Sequence, residues 1–426
     1  MNSQRLFSKD FTLVVAGQII SLFGNAILRF ALPLHLLRET GSATLFGIVT
    51  ACSFLPMIVL SFLGGVLADR VNKRNIMVCL DFLTAAIILS LTFLFGTLPL
   101  VPLLIVGLML LYGIYGTYQP TVQASIPFLV PMDRIVQAGA VINQISALAS
   151  LAGPIIGGML FGVFGIIPIL IISTICFFAS AVMELFITIP FEKRTGRDGV
   201  FAIIRNDFKE STAYLKHENP AMFKVILMVA LFNLVLTAMI IVGTPLLIVD
   251  TLGMSDQLLG ISQGVLAFGG LCGGMFVAMF SKKMSLSSSH LVLAGCCVCV
   301  GAMAVPFFLG ASAMSCYITI TSANFVCMAL ATVFSVQTLA AVQTTTPPHL
   351  VGKVLALMMA ISMSAQPVGQ AIYGVVFDTY RNRPELILLV VMALALGISL
   401  ASRKIFSRFS EGVREEPRIS TQDLPA

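Results

Sequence analysis

The stretch Gly65-Val66-Leu67-Ala68-Asp69-Arg70-Val71-Asn72-Lys73-Arg74 lies between two long apolar segments. It concentrates charge in a chain where only 10% of the 426 residues are charged and 58% are hydrophobic. A chain this apolar lacks the polar surface that keeps a folded domain in solution. The stretch therefore has the composition of a surface loop that connects two membrane-spanning helices.

Further long apolar segments lie on both sides of this loop. A helix that crosses the hydrocarbon core of a bilayer needs about 20 predominantly apolar residues, and the chain offers twelve segments of this kind. They occupy approximately residues 11–37, 43–68, 75–96, 101–125, 138–163, 166–190, 221–249, 256–280, 288–309, 312–341, 351–377 and 384–402. The sequence therefore predicts an all-α polytopic membrane protein with 12 transmembrane helices.

The basic residues of the loops predict how these helices are oriented. The loops on one side, together with the central segment and both chain ends, carry most of the Lys and Arg, whereas the loops on the other side carry only Arg38, Arg381 and Arg383. Basic loops stay on the cytoplasmic side of a membrane, so we expect both termini to be cytoplasmic. The net charge of +6 is divided among short clusters and does not form one continuous face, so no nucleic-acid partner is expected.

The two halves of the chain repeat a common pattern. Pro33 and Pro245 are 212 residues apart, and Pro154 and Pro367 are 213 residues apart. A repeat of half the chain predicts two pseudo-symmetric six-helix bundles related by duplication. The predicted domains are an N-terminal bundle at 1–190, a cytoplasmic central loop at 191–219, a C-terminal bundle at 220–404 and a cytoplasmic tail at 405–426. An amphipathic helix is expected in the central loop, with an apolar face formed by Phe201, Ile204, Phe208 and Leu215.

The pattern of the charged loop has a known counterpart. The loop consists of a glycine, then Leu67-Ala68-Asp69-Arg70, then two basic residues. This pattern resembles the signature loop between the second and third helices of the major facilitator superfamily of transporters. The resemblance implies a conformational latch formed by Gly65, Asp69, Arg70, Lys73 and Arg74. Asp69 can contact Arg70 or a helix N-terminus, and this contact can break when the two halves of the protein move relative to each other. Asn72 stands where the family usually has glycine, and Asn is tolerated there because it also accepts left-handed backbone conformations. The alternative is a basic loop that only sets orientation.

Residues 149–158, Ala-Ser-Leu-Ala-Gly-Pro-Ile-Ile-Gly-Gly, form a second motif, in the fifth span. It resembles the Gly-Pro-x-x-Gly-Gly motif of exporters in the same superfamily. The resemblance implies a hinge formed by Gly153, Pro154, Gly157 and Gly158. Small residues allow helices to approach closely, and the proline removes one backbone hydrogen bond. The alternative is an ordinary packing face of small residues.

Polar side chains inside the predicted spans are candidates for a substrate cavity. A polar group in lipid is costly, so it should face the bundle interior or a wet cavity. Together with Ser21, the candidates recur every three or four positions in the first and fourth spans, and they also occur in the seventh and tenth: Gln18, Asn25, Arg29, Tyr112, Tyr115, Gln119, Asn233, Thr237 and Asn324. Aromatic and hydrogen-bonding groups with little fixed charge suit bulky amphipathic molecules. Such stripes also arise from hydrogen bonds between helices alone.

Three ionisable groups lie well inside the spans: Arg29, Asp81 and Glu184. Burial away from water favours the neutral form of a carboxyl, so Asp81 and Glu184 are candidates for a group that binds and releases protons. The alternative for Asp81 is a fixed ion pair with Arg70 or Arg74. Arg29 could neutralise an acidic group of a substrate, stabilise a helix C-terminus, or pair with one of the two carboxyls.

A closer resemblance rests on five further segments. They are Gly17-Gln18, Leu28-Arg29-Phe30-Ala31-Leu32-Pro33, Thr40-Gly41-Ser42-Ala43, Phe54-Leu55-Pro56 and Gly352-Lys353-Val354. They are similar to the macrolide-efflux type of major facilitator, a bacterial group of twelve-span drug:proton antiporters. The fourth span departs from other drug antiporters because it contains no arginine, so their arginine motif has no counterpart here.

This resemblance implies a secondary active transporter that exports hydrophobic or amphipathic, drug-like or macrolide-like molecules by proton antiport and alternating access. The partners are then a small-molecule substrate, protons and membrane lipids, and the protein is a multi-pass monomer of the bacterial plasma (inner) membrane. No cofactor, metal site or enzymatic activity is expected, because no nucleophile-base or metal-ligand arrangement stands out. Two alternatives are uptake, lipid or siderophore transport by the same fold, and a non-transporting membrane sensor.

Overall fold

The computed structural model describes residues 6–190, 200–280 and 289–415. Within these ranges the chain is helical and contains no strand. Twelve of its helical segments are long and apolar enough to cross a membrane. The predicted fold class and the number of spans are therefore confirmed.

The first six spans are six α-helices joined by short connections. Their bounds are α1 Lys9–Thr40, α2 Ala43–Arg70, α3 Lys73–Leu94, α4 Leu100–Leu129, α5 Ile135–Phe164 and α6 Ile166–Glu184. Ser8 and Ser42 cap the N-termini of α1 and α2, because their side-chain oxygens accept hydrogen bonds from backbone N–H groups in the first turns of these helices. Gly41, at φ 57°, ends α1 in the left-handed conformation that glycine tolerates. The sixth helix ends at Glu184, six residues before the predicted end of its span.

The described part of the second half contains seven α-helices. Their bounds are α7 Val200–Ala213, α8 Pro220–Phe232, α9 Asp256–Phe280, α10 Ser289–Phe308, α11 Ala313–Thr345, α12 Val351–Thr379 and α13 Pro384–Glu415. The seventh span begins with α8 and continues through wide π-helical turns at Asn233–Thr237, Met239–Gly243 and Leu246–Thr251. Gly253, at φ 64°, follows this span as Gly41 follows α1.

An even number of spans places the start of α1 and the end of α13 on one side, called here the terminal side, with the loop at residues 71–72. The turn at residues 41–42 lies on the other side, called the opposite side. The two bundles meet where α2 packs against α12 and where α5 packs against α9. Gly47 and Gly374 approach closely at the first crossing, and Gly158 and Gly260 approach closely at the second.

Both crossings lie towards the opposite side, because they involve the first turns of α2 and α9. Near the terminal-side ends of the same four helices, a methyl group added to Gly65, Gly139, Gly274 or Gly352 would meet no described atom within 4 Å. The bundles are therefore packed together on the opposite side and separated on the terminal side.

Helix α7 lies in the central segment, where an amphipathic helix is expected, and contacts α12. Lys353 Nζ at the start of α12 is 2.7 Å from Glu210 Oε2 and 3.0 Å from Asp207 Oδ1. Leu215, just after α7, is fully buried, whereas Phe208 is half exposed. The side chains of Phe201 and Ile204, the rest of the predicted apolar face, lie outside the described part of the structure.

Candidate functional site

A cavity of about 300 Å³ lies between the two bundles. Helices α1, α2, α4 and α5 form one wall, and the seventh span and α9 form the other. Arg29 of α1 lies against two rings of α4: its guanidinium carbon is 4.4 Å from the ring centre of Tyr112 and 4.9 Å from that of Tyr115. Asn25, one turn before Arg29, lines the same wall. The structure thus brings four of the predicted cavity residues together.

Five predicted cavity residues do not line this cavity in the present conformation: Gln18, Gln119, Asn233, Thr237 and Asn324. Asn324 Nδ2 donates to Thr244 Oγ1 at 3.0 Å, a hydrogen bond between α11 and the seventh span. Asn233 Nδ2 donates to the carbonyl oxygen of Val229 in its own helix at 3.1 Å. Asn324 therefore forms a hydrogen bond between helices, which is the alternative to lining the cavity.

Four polar residues absent from the prediction also line the cavity, and they are Thr50, Ser146, Ser150 and Gln263. Ser146 and Ser150 are four positions apart on α5, so the periodicity that selected the first and fourth spans also identifies them. Gln263 has no polar residue three or four positions away on α9. No sequence signal of this kind could have selected it.

Asp81 and Glu184 belong to one buried group of polar side chains, called here the carboxyl cluster. Ser21 Oγ of α1 donates to Asp81 Oδ2 at 2.8 Å and lies 3.2 Å from Ser180 Oγ of α6. Tyr118 of α4 donates its hydroxyl to Glu184 Oε1 at 2.6 Å. Asp81 is 2% exposed and Glu184 is fully buried. The cluster therefore connects α1, α3, α4 and α6 inside the N-terminal bundle.

The carboxyl cluster forms no ion pair within the described ranges. The predicted alternative, a fixed pair of Asp81 with Arg70 or Arg74, is wrong for this conformation: Asp81 accepts its hydrogen bond from Ser21, and Arg74 donates to the carbonyl oxygen of Leu185. The reason is helical geometry, because Asp81 lies about 10 Å along α3 from Arg74 and faces α1 and α6. The two carboxyls are thus separate from the charged loop.

The glycines of the α5 motif pack on two faces. A methyl group on Gly157 would lie 3.1 Å from the ring of Phe30 in α1, within the same bundle. A methyl group on Gly158 would lie 2.6 Å from the carbonyl oxygen of Asp256 in α9, in the other bundle. Helix α5 runs without interruption through Pro154. The motif therefore allows close packing within the N-terminal bundle and between the bundles.

Polar contacts between the bundles also lie on the opposite side, and sequence reasoning missed them. Asp378 at the end of α12 accepts hydrogen bonds from the backbone N–H groups of Ala43 at 2.9 Å and Thr44 at 2.8 Å, and from Ser42 Oγ at 3.1 Å. It therefore caps the N-terminus of α2 from the other bundle. Arg38 at the end of α1 pairs with Asp256 at the start of α9, with 2.7 Å between nitrogen and oxygen.

The predicted latch residues lie at the terminal-side ends of α2 and α3. Lys73 is buried, with Nζ 4.5 Å from the ring centre of Phe128. The expectation of a left-handed Asn72 is wrong: its φ is −59°, and its Oδ1 accepts from the backbone N–H of Arg74 at 3.0 Å as the cap of α3. An Asn at this position stabilises the helix start through its side chain. The side chain of Asp69 is outside what the structure describes, and a methyl group on Gly65 would meet no described atom.

This fold and this cavity define a class of protein: a multi-pass membrane transporter in which two helical bundles enclose a central binding space. The sequence matches the Major Facilitator Superfamily over residues 14–370. The chain belongs to this superfamily, whose members are transporters and not enzymes.

Known relatives agree with this membership. The chain is 25% identical over 327 residues to Macrolide efflux protein A of Streptococcus pyogenes, which covers 70% of this chain and 79% of that protein. It is 26% identical over 174 residues to the Staphyloferrin A transporter of Staphylococcus aureus, covering 40% of this chain and 43% of the relative. The crystal structure of a peptide transporter named POT has the same fold, with a TM-score of 0.75, 13% identity and 95% coverage of both chains. The predicted resemblance to efflux members of the superfamily is confirmed.

Proposed function

We propose that this transporter exports hydrophobic or amphipathic small molecules from the bacterial cytoplasm in exchange for protons. One observation carries this proposal: the carboxyl cluster and the cavity share helix α1. Ser21 contacts Asp81, whereas Asn25 and Arg29, one and two turns further along the helix, line the cavity. Export as the direction is supported by a relative named for macrolide efflux. In this proposal the terminal side is cytoplasmic.

The carboxyl cluster is suited to carry the proton. Two carboxylates buried together without a cation would repel each other and lose their hydration, so a protonated form is the stable one. Glu184 Oε2 is buried without a hydrogen-bond partner among the described groups, which leaves it free to hold a proton. Loss of that proton would place a charge beside the hydroxyl of Tyr118, through which α4 contacts α6.

The two sides of the protein would then alternate. The present conformation is packed on the opposite side and open on the terminal side, so substrate would enter from the cytoplasm. Transport requires the crossings at Gly47 and Gly158 to separate while the terminal side closes. The proposed latch at residues 65–74 would hold that second state, and Pro154 with its glycines would serve as the hinge.

We expect Asp81→Asn and Glu184→Gln to lower proton-driven accumulation of substrate by at least about tenfold, or about 1.4 kcal/mol. Each amide keeps the shape of the carboxyl and can form hydrogen bonds, but it cannot release a proton. Downhill exchange of substrate should persist, because it needs no net proton movement. The measurement is accumulation in inverted membrane vesicles with and without a proton gradient, using a compound selected by a drug panel in an efflux-deficient host.

Asp133→Asn provides the matched control, because the Asp133 side chain is 78% exposed and lies outside the carboxyl cluster. It makes the same chemical change and should transport normally. Proton coupling is wrong if accumulation survives collapse of the gradient, or if both cluster variants transport at the wild-type rate. A sodium gradient that restores accumulation would identify a different coupling ion.

We also expect Asp69→Asn to impair export more than Lys282→Gln. Ser281-Lys282-Lys283 is the counterpart of Ala68-Asp69-Arg70 half a chain later, and it keeps basic charge but lacks the acid. A latch that needs the acid is therefore present only in the first half, and it should be sensitive to the loss of Asp69 but not of Lys282. A loop that only sets orientation would tolerate both changes equally. Drug tolerance of an efflux-deficient host that expresses each variant distinguishes the two roles.

A further inference from the structure

Arg29 is the one side chain with a formal charge among the described residues that line the cavity. Arg38, Arg134 and Arg381 form ion pairs with described acids, and all three lie at the ends of helices. Arg29 contacts the rings of Tyr112 and Tyr115 instead. The cavity therefore presents one positive charge and no described negative charge.

The two acids of the carboxyl cluster and the acid at the start of α9 are engaged elsewhere. Asp81 is bonded to Ser21, which is eight residues and about 12 Å along α1 from Arg29. Glu184 accepts from Tyr118, and Asp256, at the opposite-side end of the cavity region, is paired with Arg38. Of the three roles that the sequence leaves open for Arg29, pairing with Asp81 or Glu184 is therefore not the one that the structure adopts.

An unpaired guanidinium at the centre of a membrane protein is costly. Two tyrosine rings offset part of that cost through cation–π contacts, and they also hold the guanidinium at the cavity wall. In the low dielectric of such a cavity, one fixed positive charge favours a bound anion and disfavours a bound cation. The planar fork of Arg matches a carboxylate, which can accept two parallel hydrogen bonds from it.

We propose that Arg29, held against Tyr112 and Tyr115, binds a carboxylate group of the transported molecule, so that the transporter prefers amphipathic carboxylates to amphipathic amines. The inference rests on the proposed export function and specifies its substrate class. The apolar part of such a molecule would contact aromatic side chains of the same wall, among them Phe30 and Phe54. Asn25 and Ser150 offer hydrogen bonds to its other polar groups.

The test compares a carboxylate and an amine of similar amphipathic character. Fusidate carries a carboxylate and erythromycin carries an amine, and initial rates of their uptake into inverted vesicles are measured for the wild type, Arg29→Gln and Arg29→Lys. We expect Arg29→Gln to lower kcat/KM for fusidate by about 10-fold to 100-fold, the value of a charge-assisted hydrogen bond. Uptake of erythromycin should stay the same or rise. Arg29→Lys should lie between, because it keeps the charge but loses the planar fork.

Arg134→Gln, which removes an arginine charge at a helix end away from the cavity, is the matched control and should leave both rates unchanged. Amounts of each folded variant are compared by size-exclusion chromatography of a fluorescent fusion. The inference is overturned, with export intact, if the wild type prefers erythromycin or if Arg29→Gln lowers both rates equally. If the wild type moves neither compound and confers tolerance to no member of the drug panel, the export function fails and this inference fails with it.

Discussion

Replacing Gly158 by leucine is expected to lower transport by about 100-fold or more while the protein stays folded. The first carbon of the new side chain would lie 2.6 Å from the carbonyl oxygen of Asp256 and 3.1 Å from the Cα atom of Gly260. Both are backbone atoms of α9 that cannot rotate away, so forcing the side chain into this contact costs about 3 kcal/mol or more. The bundles could then no longer close on the opposite side. Exchange of substrate in proteoliposomes measures the loss.

Gly397→Leu is the control for this prediction, because it adds the same side chain to α13, which forms neither crossing, at an exposed site with no described atom within 4 Å. It should transport normally. The thermal unfolding temperature of Gly158→Leu should change little, because the contacts of Gly158 are mainly with the other bundle. Near-normal exchange by Gly158→Leu would mean that the α5–α9 crossing does not need to close.

The spans could be predicted from the sequence because each depends on local properties. A length of about 20 apolar residues follows from the thickness of the bilayer, and no tertiary contact is needed to recognise it. The second span, expected at 43–68, runs from Ala43 to Arg70. Errors occur where the helix end depends on its surroundings, as at Glu184, where the apolar run continues through Ile187 and Ile189 after the helix has ended.

The candidate site could be predicted only in part, because a periodic stripe does not reveal which neighbour it faces. Arg29 and Gln18 belong to the same stripe of α1, yet Arg29 lines the cavity and Gln18 is buried inside its bundle. The sequence identifies Asp81 and Glu184 one at a time, and only the packing of α3 against α6 brings them together. The half-chain repeat contained one unused signal: Gly47 and Gly260 are 213 residues apart, and both lie at crossings between the bundles.

Asp378 could not be identified from the sequence because its partners are mainly backbone groups. Any residue at positions 43 and 44 except proline offers the same two N–H groups. The acid acts only because folding brings the end of α12 to the start of α2. The contacts that stabilise one conformation of this transporter are therefore poorly marked in the sequence, whereas the terminal-side loop is marked by charge.

Asp378→Ala is expected to raise the KM for substrate offered on the terminal side by up to about 100-fold. The carboxylate accepts three hydrogen bonds at the N-terminus of α2, and losing a charged cap of this kind costs about 2–3 kcal/mol. That free energy would be lost only from the conformation closed on the opposite side, which is the one open to substrate on the terminal side. Its population would fall, and the apparent affinity would fall by the same factor. Uptake kinetics in inverted vesicles measure this KM.

Arg38→Gln extends the prediction, because the Arg38 pair with Asp256 lies at the other crossing and stabilises the same conformation. Contacts that bias one equilibrium from separate places contribute additively in free energy, so the double variant with Asp378→Ala should multiply the two changes in KM. Thr379→Ala is the control, since Thr379 is exposed and its hydroxyl donates to the carbonyl oxygen of Val375 in its own helix. A KM for Asp378→Ala within about twofold of the wild type would show that the cap of α2 does not hold the opposite side closed. A double variant no worse than Asp378→Ala would show that the α2–α12 crossing alone controls closure.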